Sequence, residues 1–238
     1  MARILLSSDR SLCVEFGSVI SEEIQKQVRA FTLAVEAARL PAVTEVVPTY
    51  RSVTVHYRPE IMGYARLYEA LSHILSDLKT SDLPPAGEIR IPVLYGGEFG
   101  PDLAGLAALH GISQAEAIAL HTAPSYLVYM LGFLPGFCYL GGLDPRLHTP
   151  RLTTPRVSIP AGSVGIAGAQ TGVYPLSSPG GWQIIGRTPL KLYDPHRPKP
   201  ILLDAGMRLR FYPIDRTEYE RLLRESCPEA YGEGGDQP

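Results

Sequence analysis

Three arginines pose the first chemical question. Arg151, Arg156 and Arg187 lie in or beside a stretch, Leu131 to Leu190, that holds 11 Gly and 8 Pro and few other charges. A guanidinium there can clamp a carboxylate or a phosphate through paired hydrogen bonds, or it can tie loops together. Gln170-Thr171-Gly172 with Tyr174, and Gly180-Gly181-Trp182, add amide, hydroxyl and backbone donors beside aromatic surface. Polar groups that converge on an apolar wall are the usual make-up of a small-molecule site. Gly162-Ser163-Val164-Gly165 resembles a nucleophile elbow, but Pro160 precedes it and Gly168 follows. No helix can begin where the elbow needs one, so a tight turn close to a ligand is the expectation. The candidate substrate-binding residues are therefore Arg151, Arg156, Gly162, Ser163, Gln170, Thr171, Gly172, Tyr174, Gly180, Gly181, Trp182 and Arg187. Phe133, Leu134, Phe137 and Tyr139 are candidates for an apolar partner-binding groove. Asp144, His148, Asp194 and His196 could act as acids or bases, but turn roles suit Asp144-Pro145 and Asp194-Pro195 equally. No nucleophile and no acid-base pair is assigned.

Two further sites are read as structural. Tyr95-Gly96-Gly97-Glu98-Phe99-Gly100 joins a strand to a helix, where phosphates often bind. It lacks the P-loop lysine and carries an acid, so it reads as a turn. The six histidines are scattered without metal-ligand spacing, and no metal site is expected.

The elements that position these residues follow from composition and pattern. The chain has 238 residues, 45% hydrophobic and 19% charged, which describes a folded protein large enough for its own core. Lys and Arg number 22 against 24 Asp and Glu, a net charge of -2, which argues against nucleic-acid or anionic-membrane binding. Gly and Pro together make 23 plus 22, or 45 residues, far above the usual share of about 12%, and this favours loop-rich β structure. Three separated cysteines offer no disulfide framework and suit a reducing, cytoplasmic compartment. The N-terminus has too short an apolar stretch for a signal peptide. Residues 117 to 143 carry no Asp, Glu, Lys or Arg, but glycines and prolines interrupt them, so a buried core segment is expected and not a membrane span.

Two domains are expected, and the fold class is α+β. Residues 1–83 read as a small α/β sandwich-like domain of strand, helix, strand, strand, helix. Leu12 to Phe16 alternates; Ser21 opens a helix with Ile24, Val28, Phe31 and Val35 on one face; Val43 to Val47 and Ser52 to Tyr57 form a hairpin; Tyr64 to Leu78 is a second helix. Ser81 to Gly87 is the linker. Residues 88–225 read as a β-barrel domain with two inserted short helices between 101 and 121, the second opened by Ser113-Gln114-Ala115-Glu116. That pair has helix-turn-helix spacing, but its second helix offers no Arg or Lys to DNA, so it reads as a plain hairpin. Apolar runs at 157–159, 164–167, 182–185, 190–193, 201–203 and 209–212 read as barrel strands. A helix over 216–224 follows, and 226–238 is expected to be a flexible tail.

The longer motifs resemble one family. Gly132-Phe133-Leu134-Pro135-Gly136-Phe137, Pro150-Arg151, Pro155-Arg156, Pro160-Ala161-Gly162-Ser163-Val164, Gln170-Thr171-Gly172, Ser178-Pro179-Gly180-Gly181-Trp182 and Ile185-Gly186-Arg187-Thr188-Pro189 occur in its order, as do Tyr95 to Leu103 and His121 with Tyr126. It is the 5-oxoprolinase B-subunit family, also described as sporulation-kinase-inhibitor-like or allophanate-hydrolase-first-subunit-like, with carboxyltransferase subdomains C and D. The resemblance spans about residues 10 to 215. It implies that the barrel is cyclophilin-like. It also implies that the chain, inactive by itself, works with a second subunit of related barrel fold and a third subunit in the ATP-dependent opening of 5-oxoproline to glutamate. ATP would then bind at the level of the complex. The same resemblance admits inhibition of a sporulation-type histidine kinase, or a role within an allophanate or urea amidolyase-type enzyme. A stand-alone prolyl isomerase is the weakest reading, because fold does not imply function. One departure is visible: Asp204-Ala205-Gly206-Met207 replaces the Pro-Gly-Asp turn common in the family, and the strand after it is expected to survive.

Overall fold

The first sheet is ordered by which strands can bury one face. In the computed structural model, which describes residues 2–81, 83 and 87–226, β2 (Ser11–Glu15) and β4 (Ser52–Tyr57) lie at its centre. Leu12, Val14, Val53 and Val55 are wholly buried there. β1 (Arg3–Ser8) and β3 (Val43–Pro48) form the edges, in the antiparallel order β1-β2-β4-β3. α1 (Glu22–Ala38) and α2 (Tyr64–Ser76) supply Val28, Phe31, Val35, Leu67 and Leu71 to the same core. The Ser21 hydroxyl caps α1 by accepting the Ile24 N–H at 3.2 Å. Strand β1 is an addition to the expected order. Its Leu5 and Leu6 are both exposed, so no alternation marks it; pairing with β2 creates it.

By contact the chain divides into Met1–Ala86 and Gly87–Pro238. Most of the expected linker (Asp82 and Pro84 to Ala86) and nearly all of the expected tail (227–238) lie outside the described residues.

The second unit is built on a closed seven-stranded barrel. Its strands are β5 (Glu88–Tyr95), β6 (Tyr126–Leu131), β7 (Cys138–Gly141), β9 (Ser163–Ala167), β10 (Gln170–Val173), β12 (Gln183–Arg187) and β13 (Arg208–Pro213), in the order β10-β7-β6-β13-β5-β12-β9. Only β13 and β5 run parallel. A short ribbon, β8 (Arg156–Ile159) with β11 (Ser178–Gly180), lies apart from the ladder. α3 (Leu103–Leu109) and α4 (Gln114–Thr122) add Leu103, Leu106, Ala107 and Ala117 to the barrel core. α5 (Arg216–Ser226) ends the described chain. Closure removes the sheet edges that a loop-rich chain would otherwise expose.

Side-chain alternation divides strands β9 and β12 between two cores. On β9, Val164 and Ile166 join Ile91, Val128, Leu140 and Phe211 in the interior, while Ala167 joins Ile184, Phe137, Tyr174 and Trp182 in a second cluster on the outer face. The uncharged 117–143 stretch becomes the end of α4, β6 and β7. No single helix among the described residues is long and apolar enough to cross a membrane.

Three expected barrel strands are corrected: residues 157–159 form a strand, but it pairs with β11 in the ribbon and not in the barrel. Residues 190–193 and 201–203 form no ladder beyond an isolated Tyr193–Ile201 bridge, because Pro189, Pro195, Pro198 and Pro200 surround them and withhold donors. Leu192 and Leu203 still fill the core. The departing turn closes with the Met207 N–H donating to the Asp204 carbonyl and Gly206 at φ +90°, and β13 forms after it.

Gly162 illustrates how tightly this unit is drawn together. It sits at φ +80°, and a Cβ there would collide with the Thr188 carbonyl oxygen. Gly105 in α3 has open space around it. In urea denaturation, Gly162→Ala should therefore lower the unfolding free energy by at least about 2 kcal/mol. Gly105→Ala should raise it by up to about 1 kcal/mol, because alanine is the better helix former.

Candidate functional site

The outer-face cluster is an aromatic assembly with a polar rim. Phe137 is its hub, with ring centroids 5.0 Å from Tyr139, 5.2 Å from Tyr174 and 5.5 Å from both Trp182 and Phe133. Edge-to-face geometry throughout is the arrangement aromatic quadrupoles favour. Tyr174 and Trp182 are buried, Tyr139 and Leu134 half-buried. Phe133, at the tip of the β6–β7 hairpin, is 65% exposed and held at φ +71°, a conformation that L side chains rarely adopt. Glycines let these rings approach the backbone. A Cβ at Gly172 would stand 3.1 Å from the Trp182 ring, and one at Gly180 would stand 2.5 Å from the Tyr174 hydroxyl.

The three arginines have three different fates. Arg156 is committed: its Nη2 donates to Asp102 Oδ1 at 2.7 Å, and its Nη1 approaches the Trp182 carbonyl at 3.4 Å. Asp102 is itself anchored, accepting the Ile184 N–H at 2.6 Å. Arg187 lies over the Phe99 ring at 5.3 Å, which Arg216 also approaches at 5.1 Å, and Arg216 pairs with Glu98. The Arg187 Nε is buried without a hydrogen-bond partner. Arg151 is exposed at the rim, where its charge acts on the Tyr174 hydroxyl. Burial pushes the Tyr174 phenol up to about 12, chiefly by desolvation, with Arg151 opposing.

The remaining candidates divide by face. Gly181 accepts the Leu152 N–H through its carbonyl at 2.7 Å, fixing the loop that carries Arg151. Gln170 opens β10 opposite Ala167, at the edge of the aromatic cluster. Ser163 has no exposed surface, and its Oγ has no partner, so it is shielded from any substrate as a nucleophile would not be. Three donors of the Gly96–Gly100 turn are engaged, Gly96 N–H on the Ile185 carbonyl and Phe99 and Gly100 N–H on the Gly96 carbonyl, and the Glu98 carboxylate stands beside them, paired with Arg216. No cluster of metal-binding side chains occurs among the described residues. Cys13 and Cys138 are free, and burial raises the Cys138 thiol to about 11; Cys227 lies outside the described residues.

Thr171 points the other way, into the barrel, and there it completes a network that residue patterning alone does not reveal. Its hydroxyl donates to the Gly165 carbonyl at 3.0 Å, so it must accept from His121 Nε2–H at 2.9 Å. His121 Nδ1 is then left to accept the Tyr95 O–H at 2.8 Å. The ring stacks on Phe211, 4.7 Å between centroids, and the His121 carbonyl accepts the Tyr126 hydroxyl at 2.7 Å. Burial lowers His121 to about 3 and raises Tyr95 well above its ordinary value, so the relay is neutral and singly directed. The available signal in the residues is a polar, aromatic-flanked histidine inside an uncharged run.

A closed barrel with this paired-core design, joined in sequence to a four-stranded α/β unit, defines a class that comparison identifies. Residues 2–203 match the family described as Carboxyltransferase domain, subdomain C and D. The 5-oxoprolinase B subunit of Bacillus subtilis (strain 168) is 42% identical over 92% of this chain and 95% of its own length. That of Escherichia coli O157:H7 is 44% identical over 89% of this chain and 96% of its own. The chain belongs to the 5-oxoprolinase B-subunit family. Among solved structures, TTHA0988 superposes with a TM-score of 0.78 at 39% identity over 87% of this chain, which spans only 40% of that longer one. The urea carboxylase of Kluyveromyces lactis superposes at 0.73 over 94% of this chain and 23% of its own, with 20% identity, and shares the fold.

The His121 network predicts a pH dependence with a definite sign. The unfolded chain binds a proton near pH 6.5 that the folded chain does not bind until about pH 3. The stability this residue contributes is complete above its unfolded value and falls as pH drops through that window, by about 1.4 kcal/mol per pH unit. Urea midpoints across pH 4 to 7 should fall more steeply toward acid for the wild-type chain than for His121→Asn, which should be less stable at pH 7.

Proposed function

We propose that this chain is the B-type subunit of an ATP-dependent 5-oxoprolinase, which opens the lactam of 5-oxoproline to glutamate together with partner subunits. The observation that carries the reading is identity of 42–45%, over most of the chain, to the 5-oxoprolinase B subunits of three organisms. A lactam is stabilised by amide resonance, so hydrolysis needs an activated carbonyl. Phosphoryl transfer from ATP to the lactam oxygen breaks the resonance and makes that oxygen a leaving group; two waters are consumed and glutamate, ADP and phosphate result. Preorganised donors must hold the charge that develops.

The glycine-rich loop between β5 and α3 carries no lysine, and the Glu98 carboxylate stands in it, which disfavours a triphosphate there. On this reading ATP binds at the level of the complex, and the chain by itself is inactive. The partners are a second subunit of related barrel fold and a third subunit. The occurrence of this unit inside longer chains, 40% of TTHA0988 and 15% of the K. lactis urea amidolyase, supports an assembled role. The barrel is read as cyclophilin-like, and the free Cys13 and Cys138 suit the cytoplasm. The chain is read as two domains, with their boundary near residue 86. The exposed Phe133 favours a second reading, docking to a histidine kinase.

Co-expression with the partner subunits tests the reading. Glutamate should form from 5-oxoproline only with ATP and only when every subunit is present, with one ADP for each glutamate. A well-formed complex that leaves 5-oxoproline intact but consumes ATP on a urea-type amide would reassign the substrate. Inhibition of kinase autophosphorylation without amide turnover would favour the second reading.

A further inference from the structure

The rim of the aromatic assembly holds a cation that nothing neutralises. Among the described residues Arg151 has no hydrogen bond or ion pair, whereas Arg156, five positions on, is bound to Asp102. Yet the backbone around Arg151 is fixed on both sides. Gln183 Nε2 donates to the Pro150 carbonyl at 3.0 Å, and the Leu152 N–H donates to the Gly181 carbonyl at 2.7 Å. A pinned backbone under a free guanidinium lowers the entropy lost on ligand capture.

A second donor stands beside it. The Tyr174 hydroxyl lies against Gly180, where a Cβ would stand 2.5 Å from it, next to the Gly181 carbonyl that holds the Leu152 N–H, and no hydrogen bond among the described residues takes its proton. The hydroxyl stays protonated at neutral pH, because burial raises it to about 12. Arg151 and Arg156 favour its ionised form, the Tyr139 phenol opposes it, and no carboxylate is among the groups that act on it. Since Asp102 balances Arg156, the local excess is one positive charge. That matches a monoanion better than a phosphate group, which carries up to about two charges and would need a further cation.

We propose that Arg151 and the Tyr174 hydroxyl form a carboxylate-recognition subsite that holds the carboxylate of 5-oxoproline. The identity of the acid rests on the function proposed above; the carboxylate chemistry rests on this geometry. The guanidinium receives the two carboxylate oxygens side by side, and the phenol donates to one of them. The lactam oxygen and nitrogen are left for the partner subunits to activate. The subsite makes the enzyme selective for an acid over the corresponding neutral lactam.

The assembled complex provides the test, with 5-oxoproline compared with its carboxamide. Arg151→Ala should raise KM for 5-oxoproline at least about tenfold, equivalent to about 1.4 kcal/mol, with kcat changed far less and KM for ATP unmoved. Preference for the acid over the carboxamide should shrink by the same factor. Arg151→Lys should recover part of it, and Tyr174→Phe should show a smaller loss in the same direction. An unchanged KM and an unchanged preference in Arg151→Ala would overturn the subsite while leaving the oxoprolinase reading intact. A rise in KM for ATP alone would overturn it in favour of a phosphate contact. If the wild-type complex makes no glutamate, calorimetric titration with 5-oxoproline separates the two claims. Binding by wild type that Arg151→Ala abolishes sustains the subsite without the reaction, and no binding by wild type overturns both.

Discussion

Asp102 holds the outer face of the barrel in place. One carboxylate oxygen takes the Arg156 guanidinium and the other takes the Ile184 N–H, while the Asp102 N–H donates to the Ile184 carbonyl. Three segments meet at this residue: the loop entering α3, strand β12 and ribbon strand β8. Its side chain is 13% exposed, so the pair is shielded enough from water to keep much of its strength. A partly buried carboxylate with two charge-assisted or backbone donors is satisfied; with one removed it would be left costly and unpaired. The ribbon adds Ile159 to the cluster of Tyr174 and Trp182 and sets Gly180 against the Tyr174 hydroxyl, so this clamp ties the aromatic assembly to β12.

The two cores of the barrel unit do different work. The interior is sealed by a neutral chain of hydrogen bonds from Tyr95 through His121 and Thr171 to Gly165, each donor used once. Such a network fixes where α4 sits and the register of β10 without leaving a charge to bury. Because β10 alternates, the same strand that anchors Thr171 inward places Gly172 against the Trp182 ring outward. The rigidity of the interior is thereby passed to the outer face through one residue step.

Elements with strong local signals were legible in the residues. α1 carries its cap at Ser21, α4 its cap at Ser113, and β4 shows strict alternation; each formed as periodicity and capping require. β1 was not legible, because an edge strand with Leu5 and Leu6 both exposed shows no pattern and exists only through its pairing with β2. Residues 190–193 and 201–203 mislead for the opposite reason. Leu192 and Leu203 are apolar because they fill the core, but the neighbouring prolines prevent a ladder, so hydrophobicity there reports burial and not strand geometry. The aromatic and glycine motifs around the outer face were visible as a group. Their convergence was not, since it depends on a closed barrel that brings residues 137, 174 and 182 within one ring contact.

The arginines show why residue type and spacing cannot assign a role. All three sit in similar glycine- and proline-rich surroundings, and each could have been the ligand clamp. What separates them is the company that tertiary structure provides. Asp102 takes Arg156 out of contention by balancing its charge, and Phe99 gives Arg187 an aromatic face. Arg151 is exposed and has an anchored backbone, with neither an ion pair nor an aromatic face for its head group among the described residues. On the proposed reading, a carboxylate brought by the substrate supplies the partner that the fold withholds from Arg151.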